Sequence, residues 1–138
     1  MGQPYVICNE FTLLSSCSLG AGITGVAGGG SSGAGHGGNG GVGSHQVRVG
    51  AAIGDLYEPE LFGCKGGGNG GLGGGKIKLV VNGTMKIDGI VSCNGQTGST
   101  AYSGGGSGGS IWIVTNLMRG YGQFQVRKFA SFSMQVFF

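Results

Sequence analysis

The sequence predicts an all-β chain, a glycine-rich parallel β-solenoid (β-helix-like) with long glycine-rich loops. Three observations carry this expectation. Glycine fills 36 of 138 positions, about a quarter, against an ordinary usage of about 7%. The aliphatic residues gather in short runs such as KIKLVV and SIWIVT, which favour strands. The pattern also repeats: Ile77 and Ile111 stand 34 residues apart and Gly89 and Gly122 stand 33 apart, so that GGKIKLVV aligns with GGSIWIVT and GIVSC with GQFQV. A period of this size is the mark of a repeat architecture.

Composition excludes several classes. Proline occurs only twice, too rarely for a collagen triple helix. Charged residues make up 9% of the chain, far below the usual share of about 25%. Glycine- and serine-rich chains usually behave as flexible coils, but an apolar share of 39%, concentrated in short runs, favours order. The net charge of +3 comes from scattered basic residues, not the dense patch of a nucleic-acid surface. No apolar stretch reaches the length of a membrane span.

Residues 1–27 read as an N-terminal β segment or lead-in, with YVIC and FTLL as short apolar runs. The run lacks a basic start and is broken by Asn9 and Glu10, so a secretory signal is not supported. Gly20, Gly22 and Gly25 spell G-x-G-x-x-G, but the following VAGGGSSG does not hold the helix that a dinucleotide site needs. His36 and His45 have no acid or cysteine close in sequence to complete a metal site, and they read as polar loop residues. Val47 and Val49 alternate with Gln46 and Arg48 in a short strand-like run,.

Residues 28–126 form the repeat region. Its loop YEPELFGCKGGG is extended by Pro59, and Gly70 to Lys76 mimic a phosphate loop. Ile77 replaces the magnesium-binding Ser or Thr and a strand follows, so that reading fails. After KIKLVV, Asn82-Gly83 and Asp88-Gly89 supply residues for tight corners. Three short strands between such corners would make one coil, burying an inward row of Ile, Leu and Val. Asn82-Gly83-Thr84 is also a sequon, making Asn82 a candidate glycosylation position. Trp112 aligns with Lys78, on the opposite face from Ile111 and Ile113; it is the candidate surface contact, with packing under a loop the equal alternative. Residues 127–138 exchange glycine for phenylalanine and read as a cap or a foreign ending.

The four cysteines form no C-x-x-C pair, which argues against zinc-ribbon and thioredoxin motifs. Cys8 with Cys17 is one candidate bridge, and Cys64 with Cys93 another if adjacent coils stack. Small buried apolar side chains are the equal alternative.

The order GAGHGGNGG, YEPELFGCKGGG, GGGKIKLVVNGTMKIDGIVSCNG, GGGSGGSIWIVTNLMRGYGQF resembles a glycine-rich repeat module of large extracellular or cell-surface proteins, similar to adhesin-type parallel β-helices. The resemblance spans about residues 28–126. It implies a structural or adhesive module of a surface, matrix or filament protein, working by coil stacking and self-association or with neighbouring repeats of a longer chain. It brings no catalytic residues, no cofactor and no metal. That pattern would continue after GQFQ with A-N-G-G, where this chain has VRKFASF. Two alternatives stand beside it. One is a carbohydrate-binding or carbohydrate-cleaving β-helix protein with glycan partners, for which Asp55, Glu58, Glu60 and Asp88 are the available acids and Arg48 and Lys78 the neighbouring bases. The other is a polyglycine-II bundle of antifreeze or phage-tip adhesin type, in which glycine tracts hydrogen-bond to each other. An RNA-binding role ranks last, because no RNP-like aromatic motif is present.

Overall fold

The computed structural model describes residues 5–7, 21–22, 30–43 and 48–127. Five strands occur among them, in chain order: β1 (Tyr5–Ile7), β2 (Lys76–Lys86), β3 (Ile90–Ser92), β4 (Ser110–Arg119) and β5 (Gln123–Gln125). They form two small parallel sheets, one ordered β1-β3-β5 and the other β2-β4. The two sequence offsets are the two registers. Ile77 lies opposite Ile111 and Lys78 opposite Trp112, while Ile90 lies opposite Gln123 and Val91 opposite Phe124. Each repeat thus places one strand in each sheet.

The parallel β-solenoid expected from the sequence does not form among the described residues. The strands stay confined to these two small sheets, with no closed or solenoid sheet. The inward row of Ile, Leu and Val is only half-buried, at Ile77, Leu79 and Val81 of β2, and the fully buried apolar residues among those described are Ala34, Cys64, Val91 and Cys93. The expected corner at Asn82-Gly83 is no corner. β2 runs through it as one 11-residue strand, and the register shifts between Val81 and Thr84 while β4 advances only from Thr115 to Leu117. Two residues face one, which is a bulge. Gly83 takes φ 143° there, and the Thr115 hydroxyl donates to its carbonyl at 2.9 Å. The chain does turn after β2: Asp88-Gly89 leads into β3, and Gly120, at φ 107°, makes the matching turn after β4.

The interior is built from backbone. Ser103–Ser110, sequence SGGGSGGS, is buried at all eight positions. A buried N–H or C=O must find a partner, and here the partners come from tracts distant in sequence. Ser107 N–H donates to the Cys64 carbonyl at 3.0 Å, and Gly74 N–H donates to the Ser107 carbonyl at 2.9 Å. Gly106 N–H donates to Gln96 and Gly109 N–H to Cys93, both at 2.9 Å, while Ala34 N–H donates to Gly105 at 3.1 Å. The central tract is therefore bonded to four others.

Gly104 shows why this is a bundle and not a sheet. Its N–H donates to Gly67 at 3.1 Å, its carbonyl accepts from Gly71 at 2.9 Å, and its Cα faces the Ser32 carbonyl so closely that a Cβ would overlap that oxygen. Three tracts meet one residue from three directions. A strand in a sheet meets two neighbours and needs side chains to fill the space above and below it. Glycine tracts need neither, because backbone itself fills the space. That is the physical reason the glycine segments leave the ladders instead of continuing a solenoid coil.

Candidate functional site

The outer face of β2 alternates strictly with its half-buried face, and it carries Lys76, Lys78, Val80, Asn82, Thr84 and Lys86. Lys78 is the centre of the one compact side-chain cluster on it. Its ammonium lies 3.7 Å from the centroid of the Trp112 ring and donates to Glu60 Oε1 at 2.7 Å. The loop before the first glycine strand of the repeat thus folds back over the sheet, and Lys76 sits 5.2 Å above the Phe62 ring beside it. The Lys78 hydrogen bond, with its charge, holds the Glu60 carboxyl below its ordinary value. Both partners are about half exposed, so the pair contributes only modestly to stability. Trp112, the sequence candidate for a surface contact, is half-buried, with one ring face covered by Lys78. Asn82, the sequon residue, is exposed on the same face.

A second cluster lies at the start of β4. The Ser110 hydroxyl donates to the Leu61 carbonyl at 2.7 Å, so its lone pairs are what remain for His36, whose Nε2 lies 3.2 Å away. The network assigns the proton to Nε2. Nδ1 is then a buried acceptor without a partner. Burial pushes the His36 pKa below its ordinary value, and the ring's hydrogen bond to the Phe62 backbone carbonyl, which favours the protonated form, opposes that shift. A serine nucleophile would need its proton directed at the histidine. Here it points at a backbone carbonyl and Ser110 is buried, so the pair ties three segments together. His45 lies outside the described residues.

Of the acids considered for carbohydrate chemistry, Glu60 pairs with Lys78, and Asp55 and Asp88 are engaged locally. Asp55 Oδ1 accepts from the Glu58 and Tyr57 amides at 2.9 and 2.7 Å, which lowers its pKa. Asp88 pairs with Lys86 at 2.8 Å, accepts from the Tyr121 amide, and is lowered chiefly by the Lys86 hydrogen bond. No group of three or more His, Cys, Asp or Glu gathers among the described residues. No helix among them is long and apolar enough to cross a membrane.

Cys64 and Cys93 each take part in a disulfide, and both are fully buried. No cysteine is free among the described residues; Cys8 and Cys17 lie outside them. The sequence left bridge and buried thiol level, and it had no signal for the cluster around Lys78 or for the contact of His36 with Ser110, 74 residues away. Alignment of Trp112 with Lys78 was the one usable hint. No family model, curated protein or solved structure matches the chain.

Proposed function

We propose that this chain is a non-catalytic structural module of an extracellular surface, matrix or filament protein: an ordered glycine bundle braced by two parallel sheets and by disulfides. The observation that carries the reading is the buried Ser103–Ser110 tract, whose backbone bonds to four separate segments. A chain that devotes its interior to backbone hydrogen bonds gains a densely cross-tied body without a large apolar core. The disulfide-bonded Cys64 and Cys93 favour an oxidising compartment. The hydrogen bonds between glycine tracts favour the bundle form of the structural reading, and the engagement of Asp55, Glu60 and Asp88 in turns and ion pairs weighs against carbohydrate cleavage. The resemblance to extracellular glycine-rich modules points the same way.

Mechanical extension of single molecules tests this directly. Bonds such as Ser31 to Tyr102 and Ser107 to Cys64 join residues far apart in sequence, so extension has to break them together. Discrete unfolding events in the oxidised chain are the expected result. Featureless extension from the lowest force would overturn the reading.

A further inference from the structure

We propose that the β4–β5 edge is a dimer interface, on which a second copy of this chain lays its own β4 and β5 in antiparallel pairing and extends both sheets at once. The inference rests on the structural reading above and names its partner.

Among the described residues, β4 pairs only with β2, and β5 only with β3. Neither outer edge is paired with another described strand, and a strand edge of this kind is the usual template for strand addition. The two edges of the β2-β4 sheet differ in chemistry. β2 carries Lys76, Lys78 and Lys86, the kind of charge that discourages pairing. β4 carries a single charge, Arg119, at its last position, and no acid or lysine occurs from Ser110 to Val126. Exposed apolar side chains collect on this side: Val114, Leu117, Met118, Phe124 and Val126 are 42–45% exposed and Tyr121 is 96% exposed.

The topology selects the symmetric partner. A head-to-tail copy would bring its β2 to β4 and its β3 to β5. That approach is blocked, because β1 already occupies the free side of β3. In a two-fold arrangement, β4 meets β4 and β5 meets β5, and both edges come from the same repeat. Such an interface is isologous and closes at two copies. Centred on Val114, antiparallel pairing sets Arg119 opposite residue 109 of the partner, a glycine, so the like charges stay apart.

Sedimentation velocity of the oxidised full chain over a range of concentrations tests the proposal, alongside the double variant V114K/M118K and glycine amide exchange on both. The expected result is a species of twice the 13.7 kDa chain mass that grows with concentration in the wild type. In the variant it disappears, with amide protection from Gly104 to Gly109 retained. A wild type that stays monomeric at every concentration, or a dimer that survives both lysines, overturns the proposed edge while leaving the bundle intact. Unprotected glycine amides in the wild type would overturn the structural reading, and the interface with it.

Discussion

Replacing Gly104 by alanine is the sharpest perturbation of the interior. The new Cβ would overlap the Ser32 carbonyl, and the Gly67 amide lies 3.0 Å from the same position. These are backbone atoms, so no side chain can swing aside. The tract has to shift, which breaks or stretches the bonds from Gly104 to Gly67 and from Gly71 to Gly104. Two backbone bonds are worth about 1 kcal/mol each, and a buried group left unpaired costs about 1–3 kcal/mol. Restricting the unfolded chain returns about 0.4–1 kcal/mol. The net expectation is a destabilisation of about 2–4 kcal/mol. Gly41→Ala is the matched control, because Gly41 is exposed and nothing lies within 4 Å of its added Cβ. There only the unfolded-state gain applies, and a change of about 0 to +1 kcal/mol in stability is expected. Urea unfolding with disulfides intact, followed by Trp112 fluorescence, measures both from the shift in midpoint at constant slope. Equal midpoints for the two variants would refute a backbone-filled interior.

Three further outcomes follow. The pKa of His36 is lowered by burial from 6.5, so its contribution is complete above the unfolded-state value and declines as pH falls below it; the urea midpoint of the wild type should drop as pH falls below 6.5, and H36N should flatten that part of the profile. Lys78→Ala removes the contacts with Glu60 and Trp112, and it should shift the urea midpoint only slightly while changing the Trp112 emission; unchanged emission would contradict the ring contact. Reduction of the disulfides should proceed slowly under native conditions, since Cys64 and Cys93 are fully buried, and should lower stability by about 2–5 kcal/mol when it is driven by mild denaturant.

The sequence carried the strand pairing more faithfully than the architecture. Aligning Ile77 with Ile111, and GIVSC with GQFQV, reproduces the observed registers, because parallel neighbours from a repeat retain equivalent positions. It also placed Trp112 beside Lys78. Asn82-Gly83 misled because a glycine at positive φ serves a bulge inside a strand as well as a corner between strands. The solenoid expectation failed for a related reason. Periodicity reports side chains, and the tract from Ser103 to Ser110 has almost none to report. Which direction its amides take is decided by the tracts packed around it, and nothing local in SGGGSGGS encodes that choice. The fold-back that brings Glu60 to Lys78, and His36 to Ser110, is likewise set by the path of the bundle.

Amide hydrogen exchange on a chain labelled at glycine nitrogen addresses the central claim most directly. Gly104, Gly106 and Gly109 donate to Gly67, Gln96 and Cys93 from within a fully buried tract. Their amides should exchange only through global opening, orders of magnitude more slowly than a free chain, while the exposed amide of Gly41 exchanges fast. Glycine amides that all exchange at the free-chain rate would contradict an interior made of hydrogen-bonded backbone.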